Sequence, residues 1–396
     1  MVSRIAVWSI FIGFSVGCIL WLTLLVLDAT REESFRRGAK KMRAKKAAEA
    51  HGPIYIGAAG HWDAINQPIL DGINLAADEL NRKGGVLGRQ IKIVPKDDNL
   101  SIVTGMKVAQ ELANNIDVVA VIGHHESAVS LSTSTIYEYY GVLMLSPFSS
   151  TPKLTRLGRT FVFRNIPTDN AVGEKLAELA FSKGYKRIAI YYYEGDYARE
   201  LANIFAKKAE EKGITIVDRI NYDSTYQDTD FANDFKRWSK YSKLDAILLS
   251  GILPQAAECL VQMRKEGLDM PVLSGSLDND ALIKIAGKAA ENTIVVSSFD
   301  PEAGGAGSSA FVKSYQAKYG SLPNRYAAQG YDALNLLGYV IQKGGTTVPV
   351  EMAEILRSVK DWNGVTGPHT FDTHGDVIGK PLLLKIVKDG SFQVIQ

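Results

Sequence analysis

Cysteine is scarce in this chain, whose 396 residues include only Cys18 and Cys259. One lies in an apolar N-terminal segment and the other in a distant helical pattern, so they cannot build a disulfide framework or a cysteine metal cluster. The sequence also lacks the GxGxxG and GxxxxGK(S/T) phosphate loops, the GxSxG nucleophile elbow and the HExxH zinc motif. We therefore expect no metal, no cofactor and no enzymatic reaction.

Basic residues are not in excess on the part of the chain that is expected to fold. Of the 45 Lys and Arg and the 43 Asp and Glu residues, nine and four lie within residues 1–50, which leaves 36 basic and 39 acidic residues for the remainder. A nucleic-acid-binding protein needs a basic stripe on its folded part. Nucleic acid is therefore excluded as a partner.

A long apolar run stands at the N-terminus. Residues 5–27 contain no charged side chain, and a run of this length can cross about 30 Å of hydrocarbon as a helix. The run is longer than the core of a cleaved signal and lacks a small-residue cleavage site. Residues 1–30 are therefore predicted to be a transmembrane anchor, with a signal as the alternative. Residues 31–52 are predicted to be a basic, solvated juxtamembrane stalk that touches anionic lipid headgroups.

From residue 53 onward, strand patterns alternate with helix patterns. Unbroken apolar runs such as 118–122 and 142–145 predict buried strands, as does the strand-like run 187–192, and amphipathic stretches between such runs predict helices. This alternation indicates an α/β fold made of parallel sheets with helices on both faces. Two similar doubly wound lobes account for most of the chain, and the Gly-rich segment 301–309 is predicted to be a flexible connection between them.

Polar and aromatic residues gather where the predicted strands end. In open parallel sheets, ligands bind outside the carboxyl ends of the strands, where helix N-termini also point. The loops at these ends carry hydroxyl, aromatic and carboxylate side chains, a mixture that suits a small polar ligand. These loops are 59–63, 123–127 and 147–150 in the first lobe, and 193–197, 251–253 and 275–278 in the second.

Ser127 is predicted to open a helix directly after a buried strand. The free N–H groups and the dipole of a helix N-terminus favour an anion, although a serine here is equally consistent with an ordinary N-cap. Ser149 and Ser150 follow the neighbouring strand between Pro147 and Pro152, which restrain the loop. We predict that these three serines converge on one ligand carboxylate.

Several stretches of the chain follow the pattern of one family. They are 72–76, 81–88, Asp97-Asp98, 122–124 with Ser127, 136–154, 187–190 with Tyr197, 330–334 and 367–376. In order and spacing they resemble the type I periplasmic binding proteins, specifically the leucine/isoleucine/valine-binding family of substrate-binding proteins of branched-chain amino acid ABC transporters. The resemblance runs from about residue 53 to the end of the chain.

The resemblance implies that the carboxylate of a small ligand lies against Ser127 and against the loop of Phe148, Ser149 and Ser150. A small residue is usual in the family where this chain has Phe148. The bulky ring is therefore expected to narrow the cleft and to cover the apolar part of the ligand.

The resemblance also assigns other positions of the site. Tyr197 and Tyr326 fall where the family places aromatic contacts. Ser276 replaces an acidic residue that usually pairs with the ammonium group of an amino acid, and Asp278 is expected to substitute for it or to cap the following helix. Trp62 lies in the loop where the family often has a tyrosine.

The resemblance further implies two lobes joined by a hinge, with catalysis absent. The implied bounds are 53–168 and 300–379 for lobe 1, and 169–299 and 380–396 for lobe 2. The implied function is an extracytoplasmic solute-binding protein that closes on a small carboxylate ligand, an amino acid or a related compound, for an ABC permease. A membrane-anchored sensor that signals to a partner is the alternative. The positive-inside rule alone would keep the lobes in the cytoplasm, but large domains cross regardless of nearby charge.

Overall fold

The computed structural model describes residues 33–240, 243–302 and 306–395. The predicted transmembrane anchor, residues 1–30, lies outside these ranges. Among the described residues, none of the helices has the length and apolar character that crossing a membrane requires. Residues 306–309, which were predicted to be part of a flexible connection, are helical.

The described residues alternate between strands and helices for most of their length. The helices are α1 (33–49), α2 (Gln67–Arg82), α3 (Ile102–Asn114), α4 (Ser127–Tyr140), α5 (Lys153–Arg156), α6 (Asp169–Ser182), α7 (Asp196–Glu211), α8 (Asp228–Trp238), α9 (Gln255–Lys265), α10 (Asp280–Ala286), α11 (Ala306–Tyr319), α12 (Arg325–Gly344) and α13 (Pro349–Ser358). The strands are β1 (Ile54–Gly60), β2 (Ile91–Asp97), β3 (Val118–Gly123), β4 (Leu143–Ser146), β5 (Val162–Arg164), β6 (Arg187–Tyr193), β7 (Thr215–Tyr222), β8 (Ala246–Ser250), β9 (Val272–Ser274), β10 (Thr293–Ser297), β11 (Trp362–Gly364), β12 (Gly367–Phe371), β13 (Val377–Ile378), β14 (Leu383–Lys388) and β15 (Ser391–Ile395).

Lobe 1 is built on a five-stranded parallel sheet in the order β2-β1-β3-β4-β5. Every residue of β3 is buried, because helices cover both faces of the sheet, as parallel sheets require. Ile122 packs into the core under α2, α12 and α13, whereas Val121 packs into the core under α3 and α4. The predicted parallel α/β architecture is confirmed.

Two glycines bring α2 and α12 close together on one face of this sheet. A Cβ at Gly72 would lie 2.0 Å from the carbonyl oxygen of Ala327, and one at Gly330 would lie 2.3 Å from the carbonyl oxygen of Ile69. Larger side chains would force the helices apart. The close approach fixes α12, whose N-terminal end faces lobe 2.

Lobe 2 is built on a seven-stranded sheet in the order β15-β14-β10-β9-β8-β6-β7. The strands from β10 to β7 are parallel, and β14 and β15 join the edge in antiparallel register. Leu176 and Phe205 from α6 and α7 pack on one face, and Phe235 and Leu260 from α8 and α9 pack on the other. The sheet is therefore buried on both sides.

The chain crosses between the two sheets three times, after β5, after β10 and after β13. The buried Lys380 Nζ in the third crossing donates to the carbonyl oxygen of Asn165 in the first, at 3.1 Å. Gln329 of α12 donates to the Ser298 hydroxyl in the second, at 3.0 Å. These bonds tie the crossings into one bundle, which suits a hinge.

Helix α1 docks on lobe 1 through one buried arginine. Arg43 is 2% exposed, and its guanidinium donates to the carbonyl oxygens of Asn115 and Tyr140, both at 3.1 Å, as well as to those of Ala113 and Val118. Three of these carbonyls end α3 and α4, where the helix dipoles favour a cation. Burial lowers the pKa of Arg43 to about 10.

The docking corrects the prediction that residues 31–52 are solvated throughout. Lys40 pairs with Glu138 at 3.0 Å, and Ala47 is buried in the lobe 1 core. The prediction failed because it rested on composition, whereas the partners of α1 come from loops and helix ends much later in the chain. All of these contacts lie at the amino edge of the lobe 1 sheet.

We predict that Arg43→Ala releases α1 from lobe 1, because the substitution leaves several helix-end carbonyls without their cationic donor. A hydrogen bond to a charged group contributes about 1.5–3 kcal/mol, so a loss of about 3 kcal/mol in α1 docking is expected. The measurement is the rate of trypsin cleavage within residues 36–46, which should rise. Lys41→Ala, an exposed position on the same helix, is the control, and equal rates for both variants would contradict the assignment.

Candidate functional site

A cavity of about 100 Å³ lies between the lobes at the carboxyl ends of the strands. Lobe 1 supplies the loops after β3 and β4 and the start of α12, and lobe 2 supplies the loops after β6, β8 and β9. The structure brings six residues of the predicted site to the lining of this cavity. They are Ser127, Phe148, Ser150, Tyr197, Ser276 and Tyr326.

Ser127 is the first residue of α4 and is 2% exposed. The N-cap position belongs to Glu126, which makes no side-chain capping bond, so the N-cap alternative for Ser127 does not apply. Both residues line the cavity, and the first N–H groups of the helix therefore open towards it. This geometry suits an anion at the start of α4.

Ser149 and Ser150 separate, although they are neighbours in the chain. Ser150 lines the cavity, but the Ser149 hydroxyl turns into lobe 1, where it donates to the carbonyl oxygen of His124 at 3.4 Å and contacts the hydroxyl of Ser130. Two of the three serines that were predicted to converge, Ser127 and Ser150, therefore lie at the cavity, and Ser149 does not. The loop is irregular, so its sequence carries no periodic pattern that shows which of two adjacent serines faces the cavity.

Asp278 and Trp62 do not line the cavity. The Asp278 carboxylate accepts from the Ser297 hydroxyl and lies 3.5 Å from the Lys385 Nζ. The N-cap of α10 is Asn279, one residue later than the alternative for Asp278. Trp62 packs against the lobe 1 core, and its Nε1 donates to the carbonyl oxygen of Lys96 at 3.1 Å.

Two acidic residues that line the cavity, Glu126 and Asp169, were not among the residues that the sequence predicted for the site. Burial and the negative charge of Asp196 across the cleft together raise the pKa of Glu126 to about 7. Burial also raises the pKa of Asp169 to about 7, although the hydroxyl of Ser150 and the charge of Arg164 oppose the shift. Asp169 is fully buried, and neither of its oxygens makes a hydrogen bond of regular geometry within the described residues. Applying the strand-end rule to β5 would have found Asp169.

An aromatic and cationic wall closes the other side of the cavity. His125 packs against Phe148 and Tyr326, with ring centroids 4.7 Å and 5.9 Å away, and burial lowers its pKa to about 4. Arg325 of lobe 1 lies over the Tyr326 ring, and its Nη2 donates to the carbonyl oxygen of Ser276 in lobe 2 at 2.7 Å. This bond spans the cleft and joins the two lobes.

The loop that carries Ser127 is held by a buried chain of side chains. His124 Nδ1 lies 2.7 Å from an Asp98 carboxylate oxygen, and its Nε2 lies 2.9 Å from the Tyr137 hydroxyl. The His124 carbonyl oxygen accepts from the hydroxyl of Ser130 at 3.1 Å. His124 therefore positions the start of α4 rather than facing the cavity with His125.

Comparison with known proteins adds to this geometry. A family model described as periplasmic binding protein matches residues 57–391. The chain is 28% identical over 345 residues to the Leu/Ile/Val-binding protein homolog 2 of Brucella abortus (strain 2308), covering 85% of this chain and 91% of that protein. It is similar to an ABC transporter substrate-binding protein from Desulfitobacterium hafniense in complex with Leu, with 36% identity, a TM-score of 0.78, and coverage of 87% and 100% of the two chains.

A leucine-binding protein from Thermotoga maritima is 30% identical, with a TM-score of 0.81 and coverage of 87% of this chain and 98% of that one. All three relatives are named as binding proteins, not as enzymes. These findings confirm the family resemblance predicted from the sequence motifs.

We predict that the stability of the ligand-free protein falls as pH rises from about 4 to about 7, because the folded state holds the Asp169 proton more tightly than the unfolded state. Asp169→Asn should reduce this dependence, leaving the part that comes from Glu126, and should stabilise the protein at pH above 7 by on the order of 4 kcal/mol. The measurement is thermal unfolding at about pH 5 and about pH 8. Glu210→Gln, at an exposed site, is the matched control, and identical pH profiles for Asp169→Asn and the wild type would refute the prediction.

Proposed function

Because the chain belongs to the periplasmic binding protein family, we propose that it is an extracytoplasmic solute-binding protein that closes on an amino acid with an apolar side chain. One observation carries the proposal: anion-binding groups, acids and aromatic rings meet in a cavity between the lobes. The relatives named for leucine, isoleucine and valine support this ligand class.

The carboxylate of the ligand would lie at the start of α4. Ser127 and Ser150 line the cavity there, and the N-terminal end of α4 favours negative charge. The backbone of Ser150 is held in place, because its carbonyl oxygen accepts from the Asp169 N–H at 2.9 Å. Pre-organised donors reduce the ordering cost of binding.

The ammonium would face Glu126 and Asp169, in place of the previously expected Asp278. Both acids line the cavity, and their raised pKa values show that burial makes their negative charge costly without a cation. Asp278 already has Lys385 as a cationic partner. An ammonium between the two acids would offset the cost of burying them.

The apolar part of the ligand would pack against aromatic side chains. Phe148 and Tyr326 meet edge to face with ring centroids 4.9 Å apart, and Tyr197 lines the opposite side of the cavity. The cavity volume of about 100 Å³ limits the ligand to a small molecule. These contacts favour an aliphatic side chain over a charged one.

The proposal includes attachment to the cell membrane through residues 1–30, with the lobes on the extracytoplasmic side. Delivery to an ABC permease is the role that the family suggests. The alternative is a membrane-anchored receptor that reports occupancy to a signalling partner, since an anchored protein cannot collect ligand by diffusing through the periplasm.

We predict that Ser127→Ala weakens leucine binding roughly tenfold to a hundredfold, because a hydrogen bond to a charged group contributes about 1.5–3 kcal/mol. Ser149→Ala is the matched control from the adjacent loop: it should lower the melting temperature and leave affinity unchanged, since Ser149 bonds within lobe 1. Calorimetric titration with leucine measures both. Unchanged affinity in Ser127→Ala would remove this serine from the site.

We also predict that Glu126→Gln and Asp169→Asn discriminate between leucine and 4-methylpentanoate, which is leucine without its amino group. If the acids hold the ammonium, leucine should lose roughly ten times more affinity than the analogue. Asp278→Asn serves as the control and should weaken both compounds equally or neither. Equal losses for both compounds in the Glu126 and Asp169 variants would show that the ammonium binds elsewhere.

A further inference from the structure

The third crossing between the lobes carries a buried lysine whose amino group meets three acceptor atoms. Lys380 is 8% exposed. Its Nζ lies 2.6 Å from the Thr366 hydroxyl and 2.7 Å from Nε2 of His369, in addition to the carbonyl oxygen of Asn165 in the first crossing. The Thr366 hydroxyl in turn donates to the carboxylate of Asp332 in α12. We call Lys380, Thr366, His369 and Asp332 the hinge cluster.

Three titratable groups meet in the hinge cluster, one each from the third crossing, β12 and α12. Burial lowers the pKa of Lys380 to about 7, although the negative charge of Asp332 opposes this shift. Burial and the charge of Lys380 lower the pKa of His369 well below its usual value, so the imidazole is neutral at neutral pH. Burial raises the pKa of Asp332, and the charge of Lys380 opposes that shift. Lys380 therefore gains or loses its proton near neutral pH.

The hydrogen atoms of the cluster must rearrange when Lys380 changes charge. An ammonium group has three N–H donors for the three acceptors, whereas a neutral amine has two donors and a lone pair. The Asn165 carbonyl can only accept, and the Thr366 hydroxyl donates to Asp332. His369 is the partner that can supply the missing hydrogen, by moving its proton from Nδ1 to Nε2. Its Nδ1 makes no hydrogen bond of regular geometry within the described residues, so this move breaks no other bond.

We propose that the hinge cluster is a proton-sensitive lock: it holds residues 165 and 380 together while Lys380 is uncharged, and protonation of Lys380 favours their separation. A buried ammonium group is costly because it has lost its water. Separation of the two crossings would hydrate the amino group, so the separated state binds the proton more tightly. By linkage, binding the proton then favours the separated state to the same extent.

The lock is connected to the cavity between the lobes through both crossings. Ile166, next to Asn165, and Leu382, two residues after Lys380, line this cavity. Asn165 Nδ2 also donates at 3.2 Å to the carbonyl oxygen of Gln329, whose residue lines the cavity as well. Separation of residues 165 and 380 would therefore displace the cavity walls. Ligand binding should weaken as the pH falls through about 7, because Lys380 then becomes charged.

The first measurement follows the tautomer of His369 by nuclear magnetic resonance of the full chain labelled with ¹⁵N-histidine. The signal is assigned by its loss in His369→Gln. The proton should lie on Nε2 at about pH 8.5 and on Nδ1 at about pH 5.5. Lys380→Met should abolish this change. Thr366→Val is the second variant, in case Lys380→Met does not fold: it removes an acceptor of the ammonium group and should move the midpoint to lower pH.

The second measurement is calorimetric titration with leucine at about pH 8.5 and about pH 5.5, and it is the only readout that rests on the proposed function. Glu126 and Asp169 titrate in every variant, so the difference between wild type and Lys380→Met isolates Lys380. The loss of affinity at the lower pH should be at least roughly threefold larger in the wild type. Lys388→Met, at an exposed position of β14, is the matched control and should behave like the wild type.

A third measurement needs no ligand. Spin labels at the exposed positions Lys107→Cys in lobe 1 and Lys236→Cys in lobe 2, with Cys18→Ser, report the distance between the lobes; Cys259 is buried and its pKa is raised well above the usual value, so it stays unlabelled. This distance should change between the two pH values more in the wild type than in Lys380→Met.

Two results would overturn the proposal. One is a tautomer of His369 that stays the same between the two pH values. The other is a tautomer that switches while the lobe distance and the leucine affinity respond to pH equally in the wild type and in Lys380→Met, because the proton would then not act on the hinge. Absence of leucine binding at both pH values would instead count against the proposed function, and the tautomer and the lobe distance would still decide whether the lock exists.

Discussion

The buried ion pair of Arg164 and Asp376 holds the binding half of lobe 1 together. Arg164 Nε lies 2.6 Å from an Asp376 oxygen, and its other nitrogens donate to the Ser149 carbonyl oxygen and to the Thr155 hydroxyl, both at 2.9 Å. The guanidinium thus joins the end of β5, the serine loop and a segment more than two hundred residues later. Removing one partner of a buried pair costs about 3–5 kcal/mol. These bonds hold the loop that presents Ser150 in the shape that the structure shows.

Because the serine loop is held rigidly, the buried acids decide how readily the cleft closes. Glu126 and Asp196 come from different lobes, so their repulsion exists only when the cleft is closed. Asp169 sits at the end of the first crossing and is fully buried. Closure without a cation therefore buries carboxyl groups whose negative charge is not compensated. A ligand ammonium would compensate that charge. On the proposed assignment, an amino acid would supply both the anion for Ser127 and the cation for the acids, and so would stabilise closure more than a simple carboxylic acid.

The sequence predicted what periodicity and chain order encode. Alternating patterns located the parallel strands, and the strand-end rule led to Ser127, Ser150, Tyr197 and Ser276 before their neighbours in space were known. The rule could not decide which of two adjacent serines faces the cavity, because Pro147 to Pro152 is irregular and has no periodic pattern. The docking of α1 could not be predicted from the sequence either, because the carbonyl partners of Arg43 lie at helix ends about seventy to a hundred residues away.

The docking of α1 bears on the choice between transport and sensing. The described contacts of α1 are with lobe 1 only, so a membrane attachment through α1 fixes lobe 1 and leaves lobe 2 to move when the hinge closes. Ligand binding then changes the position of lobe 2 relative to the membrane, which is a signal that a fixed partner can read. The same buried arginine that docks the helix on lobe 1 therefore decides which lobe would move relative to the membrane, whichever ligand the cavity holds.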